Sequence, residues 1–278
     1  MPRPILVTGG TGKTGRRVAD ALRAGGHPVR IAARQAEGPD AVRFDWSDPA
    51  TFASAFGGAR AAYLVAPPGE PDALGAIRPG LDAMIDAGVR RFLLLSASIL
   101  EEGGPMMGQV HAHLRGHAPE WAVLRPSWFM QNLTENQHLP TIREDDAIFT
   151  AAGDGRVGFV DATDIASCAA ALLTAERIEN GDHVLTGPEA LSYDDVARIV
   201  SDAAGRPITH RRLSVADLAA RLAGVGVPPG FAQGLADMDA AIAAGAEDRT
   251  TDAVERITGH APRSMRRFAR TEGGVWRR

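Results

Sequence analysis

The chain is poor in the residues that most often carry chemistry. Its one cysteine, Cys168, excludes an internal disulfide and any cysteine-based metal site, and its alanine-rich surroundings, SCAAALL, point to a buried thiol. Of the 30 basic residues only Lys13 is a lysine. There are two tyrosines, Tyr63 and Tyr193, and the residues four places further on are Pro67 and Ala197. No apolar stretch approaches the roughly 18 residues of a membrane span. The N-terminal stretch turns glycine-rich before a signal-peptide apolar region could form. A formal net charge of −4 gives no reason to expect nucleic acid or an anionic membrane as partner. A cytoplasmic protein acting on a small molecule is expected; the oligomeric state is not legible.

What is present is a rhythm. Apolar runs at 4–8, 27–34, 41–46, 61–68, 90–98 and 121–127 read as strands, and 16–26, 48–58 and about 70–88 as helices between them. Strands of continuous apolar character alternating with helices imply an α/β fold, a Rossmann-type doubly wound parallel sheet. From about residue 140 the rhythm loosens. HVLTGPE (183–189) reads as a further strand and 192–205 as a helix capped by Ser192, with helical, alanine-rich sequence after 205. The expected organisation is a Rossmann domain over 1–140 and a smaller, mainly helical lobe over 141–278, interleaved as one compact unit. The tail GGVWRR is expected to be mobile.

Between the first strand and first helix stands Thr8-Gly9-Gly10-Thr11-Gly12-Lys13-Thr14-Gly15. Glycines at 9, 12 and 15 allow a tight turn, close approach of a pyrophosphate and close helix packing, with helix N–H groups facing the anion. A P-loop would need glycine five places before Gly12, and position 7 is valine. An NAD site carries an acidic residue at the end of strand two; here Arg34 stands there, with no acid before Glu37. Arg34 either bonds a 2′-phosphate, favouring NADP(H), or closes a strand in solvent. Lys13 is near enough in sequence to assist. Asp45 accepts from the adenine amino group with Trp46 flanking it, or is a turn residue. Residues 64–67, including Ala66 and Pro67, end the fourth strand where the chain should pass the cofactor's ribose and diphosphate.

The Tyr-x-x-x-Lys proton-delivering pair of ketone-reducing short-chain dehydrogenases does not exist here. Either the acceptor needs no strong acid, as an iminium does not, or another group supplies the proton. Candidates follow strand five: Ser96, Ser98, Gln109, His111 and His113. The two histidines are two apart and face different sides of a helix; each is read as catalytic or as structural. No metal site is expected, since no acidic or cysteine partner falls at ligand spacing. Asp164 reads as a helix N-cap.

The blocks VTGGTGKTG, LLSAS, MGQVHAHL, LRPSWFMQN and FVDATDIA resemble those of NmrA-like atypical short-chain dehydrogenases, nearest the festuclavine/agroclavine dehydrogenase branch. RFDW, GPEALSYDDVA and GAEDRTTDAVERITG are similar to that branch too, so the resemblance spans nearly the whole chain. It implies an NADPH-dependent reductase of a flat, electron-poor acceptor, above all an iminium. A quinone or enone reductase and a non-catalytic NADP(H)-sensing regulator are the alternatives. The resemblance also implies that Pro126 and Ser127 lie against the nicotinamide and that Trp128, Phe129 and Asn132 wall the substrate pocket.

Overall fold

Ile5, Leu6 and Val7 are fully buried whichever face of their strand they point to, as a central parallel strand requires. The computed structural model describes residues 3–67, 69–135 and 137–277. In chain order its elements begin β1 (Ile5–Thr8), α1 (Gly15–Ala24), β2 (Val29–Ala33), β3 (Ala41–Arg43), α2 (Phe52–Phe56), β4 (Ala61–Leu64), α3 (Ala73–Asp86), β5 (Arg91–Leu95), α4 (Met107–His117) and β6 (Glu120–Pro126). They continue α5 (Leu139–Glu144), β7 (Ala147–Thr150), β8 (Arg156–Val157), α6 (Ala162–Thr174), β9 (Gly181–Leu185), β10 (Leu191–Ser192), α7 (Tyr193–Ala204), β11 (Thr209–Arg212), α8 (Val215–Gly224), α9 (Pro229–Ala243), α10 (Ala253–Thr258) and α11 (Met265–Glu272). Several strands stop short of their apolar runs, because the last residues of each run leave the ladder as loop; Pro68, at the end of one such run, lies outside the described residues.

The chain forms two compact units. The first holds the residues up to Pro126, Ala162–Leu185 and Ala253–His260. Its seven parallel strands run β3-β2-β1-β4-β5-β6-β9, so the order reverses beside β1 and β4, the switch point at which α/β sheets bind ligands. One face of the sheet buries Leu64, Phe92, Leu94 and Val123 against Phe56 of α2, Leu81 of α3 and Leu114 of α4. α6 packs with α1 and against β4, β5 and β6. Arg91, buried on β5, donates to the carbonyls of Leu172 and Ala175 at 3.0 and 2.6 Å, closing the end of α6. Cys168 is fully buried in that helix, and burial pushes its thiol up to about 12. Asp164 is not the cap of α6 but sits within its first turn, nine-tenths buried.

The second unit holds Ser127–Asp161, Thr186–Asp252 and the residues from Ala261 on, so the boundary read at residue 140 lies inside it and not between the units. It carries helices and two small ladders, β7 with β11 and β8 with β10. Ser192 caps α7 in a reciprocal capping box with Asp195. The tail departs from expectation: Gly273–Trp276 form a 3-10 turn, Trp276 is fully buried, and its indole N–H donates to the Leu133 carbonyl at 2.7 Å. A large apolar ring with one polar tip finds both a core and a partner there, which outweighs the glycines before it. Arg278 lies outside the described residues.

Candidate functional site

The glycine turn is built by close approach. Gly9 has a φ of +60°, and its carbonyl accepts the Gly12 N–H at 2.9 Å. A Cβ on Gly15 would run into the Gly9 carbonyl and stand 2.8 Å from the Gly10 Cα, so only glycine lets α1 begin this near the turn. Thr14 precedes the helix without a side-chain cap bond, and no acidic residue occupies the first turn. The positive end of α1 is therefore not neutralised by its own sequence. Lys13 is half-buried, with its carbonyl taken by Arg17 at 2.7 Å.

Beside this turn lies a cavity of about 560 Å³ lined by Gly9, Thr11, Gly12, Ala32, Ala33, Arg34, Phe44, Asp45, Trp46, Val65, Ala66 and Pro67. A second hollow of about 610 Å³ shares Thr11, Ala33 and Arg34 and adds Ile31, Gln35, Glu37 and Ala41. One wall is fixed from both sides. The buried Thr8 hydroxyl donates to the Tyr63 carbonyl at 3.0 Å and accepts the Val65 N–H at 2.8 Å, while the Trp46 indole N–H donates to the Val65 carbonyl at 3.1 Å. Trp46 itself is held edge-on to Phe44, ring centres 4.8 Å apart. Asp45 accepts the Ser47 N–H and hydroxyl at 3.0 and 2.8 Å. Those bonds, and the charges of Arg34 and Arg43, hold its carboxyl below the usual range. The glycine turn and the Arg34 guanidinium thus line one hollow, with the start of α1 following directly on the turn, a donor set that suits the phosphates of a dinucleotide.

At the carboxyl ends of β5 and β6 the Ser96 N–H donates to the Leu124 carbonyl at 2.8 Å and the Ser98 N–H to that of Pro126 at 2.9 Å. The Ser96 hydroxyl is buried and finds no hydrogen-bond partner among the described residues. Arg125, which sequence reasoning missed, is buried beneath this loop. It donates to the Ser98 carbonyl at 2.8 Å, to Glu101 at 2.5 Å and to Asp182 of β9 at 2.6 Å, tying the loop after β5 to two strands. An arginine inside an apolar strand is the signal that could have found it.

α4 sends the other candidates in three directions. His111 is buried against Trp121, ring centres 5.3 Å apart, and burial pulls its pKa down against the opposing charges of Asp182 and Glu102. His113 faces Asp82 of α3 at 3.6 Å and stacks on His117; burial, then the His117 charge, lower it. Gln109 is exposed. Both tyrosine hydroxyls are buried, Tyr63 on β4 and Tyr193 on α7, and burial pushes both above their ordinary value.

In the second unit, Ser127 is buried and its hydroxyl donates to Glu247 at 2.8 Å. Trp128, Phe129 and Asn132 are half-buried, with Phe129 bridged to Val160. The fully buried Asp161 accepts from Gln131 at 2.9 Å and Arg263 at 2.8 Å. Glu247 and Asp161 also escaped the sequence reading: Ser127 lies 120 residues from the first, and Gln131 and Arg263 lie 30 and 102 residues from the second.

The sequence matches the NmrA-like family over residues 1–263. It is 41% identical over 276 residues to the uncharacterized oxidoreductase YesF of Bacillus subtilis (strain 168), covering 98% of this chain and 96% of that one. It is also 41% identical over 284 residues to the agroclavine dehydrogenase of Claviceps fusiformis, covering 98% of each. In fold it is similar to the Citrobacter sp. triphenylmethane reductase crystallised with NADP(H), at a TM-score of 0.81 and 24% identity over 97% of this chain and 99% of the other. Likeness of that extent in sequence and fold makes this chain a member of the NmrA-like family.

Proposed function

We propose that the chain is an NADPH-dependent reductase whose acceptor is a flat, electron-poor cation, an iminium of a secondary metabolite. The observation that carries the choice of acceptor is the fate of the groups that would deliver a proton. The only lysine stands in the glycine turn, and both tyrosines are buried. A ketone or quinone needs a proton as well as a hydride, whereas an iminium becomes a neutral amine on gaining hydride alone. The agroclavine dehydrogenase of Claviceps fusiformis, at 41% identity, supports the same reading.

Bound in the hollow beside the turn, NADPH would supply that hydride. The N–H groups of the turn and of the start of α1 would hold its pyrophosphate, and Arg34, with Lys13 assisting, its 2′-phosphate. Asp45 and Trp46 would bound the adenine, while Ala66 and Pro67, on the wall fixed through Val65, would pass its ribose. Ser96 and Pro126, at the carboxyl ends of their strands, and Ser127 would face the nicotinamide. The buried Ser96 hydroxyl supports a contact role for that residue. The pairing of His113 with Asp82 supports a structural role for that histidine.

The test is titration with NADPH and NADH, followed by NADPH oxidation in the presence of cyclic iminium ions and of quinones. Tight NADPH binding with iminium turnover is expected. Turnover of quinones alone would make the protein a quinone reductase, and tight binding without turnover on either panel would favour an NADP(H)-sensing regulator.

A further inference from the structure

We propose that Glu37 is a nucleotide-selecting residue that works against Arg34, accepting the ribose 2′-hydroxyl of NADH and opposing the 2′-phosphate of NADPH, so that the protein takes both nucleotides. The inference rests on the dinucleotide-binding reading above and concerns the adenosine end of that site. Arg34 directly follows Ala33, the last residue of β2, and Glu37 stands further along the same loop, before β3 begins at Ala41. Both line the hollow of about 610 Å³, together with Thr11 of the glycine turn and Gln35. Arg34 also lines the neighbouring cavity that holds Asp45 and Trp46. A guanidinium and a carboxylate therefore share one rim of the site, at the carboxyl end of a strand beside the glycine turn.

Opposite charges this close in sequence would cancel if they paired. Among the described residues they form no ion pair with each other, and both side chains are exposed on the hollow. The acid whose charge Arg34 does reach is Asp45, which is already engaged by the Ser47 N–H and hydroxyl. Glu37 accepts no such bond among the described residues. Its carboxylate is left to face whatever enters the hollow.

An ionised carboxylate can only accept hydrogen bonds. The 2′-hydroxyl of NADH offers it a proton, the bond that an acid at the end of strand two makes in an NAD site. Glu37 supplies that acid later in the loop, on a side chain one methylene longer than aspartate. A 2′-phosphate instead brings a charge of about −1.5 to −2 near neutral pH, which Arg34 attracts and Glu37 repels. Of the described residues lining the two hollows, Arg34 is the one cation, against the acids Glu37 and Asp45. NADPH keeps its advantage through Arg34, but the advantage is smaller than the guanidinium alone would give. Selectivity is the difference between the two affinities, and Glu37 narrows it from both sides.

The test is calorimetric titration of NADPH and NADH at low salt into the native protein, Glu37→Gln, Arg34→Ala and the double variant. Glu37→Gln should bind NADPH about fivefold more tightly, the scale of a single charge facing a near-dianion under almost aqueous screening. It should bind NADH about twofold more weakly, because the amide oxygen still accepts the hydroxyl but without a charge. The NADPH-to-NADH affinity ratio should thus rise about tenfold. Adenosine 2′,5′-bisphosphate and AMP should follow the same pattern, which takes the nicotinamide and turnover out of the measurement. Glu37 is exposed and lies outside helix and strand, so the substitution tests the site and not the fold. Glu37→Gln should also tighten NADPH when Arg34 is already alanine, since repulsion of the phosphate does not need the guanidinium. Loss of the effect in that background would mean that Glu37 acts only through Arg34. That result, or an unchanged ratio in Glu37→Gln, overturns the inference while the dinucleotide reading stands. A native protein that binds neither nucleotide removes the reading and the inference together.

Discussion

Asp239 is a carboxyl that the fold holds at a cost, and the cost has a sign that can be measured. It lies on α9, 6% exposed, and accepts the Ala151 N–H at 2.8 Å. Burial, only partly offset by that bond, pushes its carboxyl from 3.8 up to about 6. An acid whose pKa is raised by folding binds its proton more tightly in the native state. Below about pH 4 both states are protonated and nothing is lost; between there and about pH 6 stability falls, and above that the cost levels off at about 3 kcal/mol. Asp239→Asn removes the ionisation and keeps an oxygen for Ala151, but its new N–H₂ needs a partner, which takes back about 1 kcal/mol. The variant should therefore be more stable than the native protein by about 2 kcal/mol near pH 7.5, and no more stable near pH 4. Urea unfolding followed by tryptophan fluorescence reads this, since Trp276 reports on the same unit. Equal stability of the two proteins near pH 7.5, or a gain that does not change with pH, would refute the burial argument.

Arg34→Ala should weaken NADPH binding about 10- to 30-fold, the lower range for a charged hydrogen bond at an exposed site, while changing NADH binding little; equal losses for both nucleotides would remove the 2′-phosphate assignment. Gly10→Ala would place its Cβ 2.6 Å from the Ile31 Cγ2 and 3.2 Å from the Val7 carbonyl, so NADPH binding should fall, and adding Ile31→Ala should restore part of it. No rescue in the double variant would mean that the clash is with backbone and not with that side chain. Ending the chain at Glu272 removes the fully buried Trp276 and should cost about 3–5 kcal/mol of unfolding free energy, read in urea through the remaining Trp128; a loss under about 1 kcal/mol would show the tail to be ornamental.

The sheet was legible because its information is local. Runs such as Ile5-Leu6-Val7 and Phe92-Leu93-Leu94 are buried on both faces, and a strand in that position needs no polar alternation to be recognised. The glycine turn is equally local: Gly9 and Gly15 meet within one loop, so their spacing carries the geometry. The end of β2 told the same story by omission, with Arg34 where an acid would stand.

The second unit was hard to read for the opposite reason. Its ladders pair Ala147 with Thr209 and Val157 with Leu191, and its tail is held by a carbonyl 143 residues earlier. None of these contacts leaves a period in the sequence, and glycines at 273 and 274 misleadingly announce a loose end. Buried charges are the extreme case. Glu247 stands in GAEDRT, a stretch that reads as an exposed polar turn, and Arg125 interrupts an apolar strand without revealing its partners. Each is met inside by partners, Glu247 by the Ser127 hydroxyl and, at 3.7 Å, by Arg249, and Arg125 by Asp182 and Glu101. An unpaired buried charge would cost more than either strand or turn could return, so partners had to exist, even where the sequence could not say which. At the carboxyl ends of β5 and β6 those partners fix the Ser98 carbonyl and the Ser127 hydroxyl. The residues least visible in the sequence are thus ones whose partners lie far along the chain, 57 residues for Arg125 and Asp182 and 120 for Glu247 and Ser127.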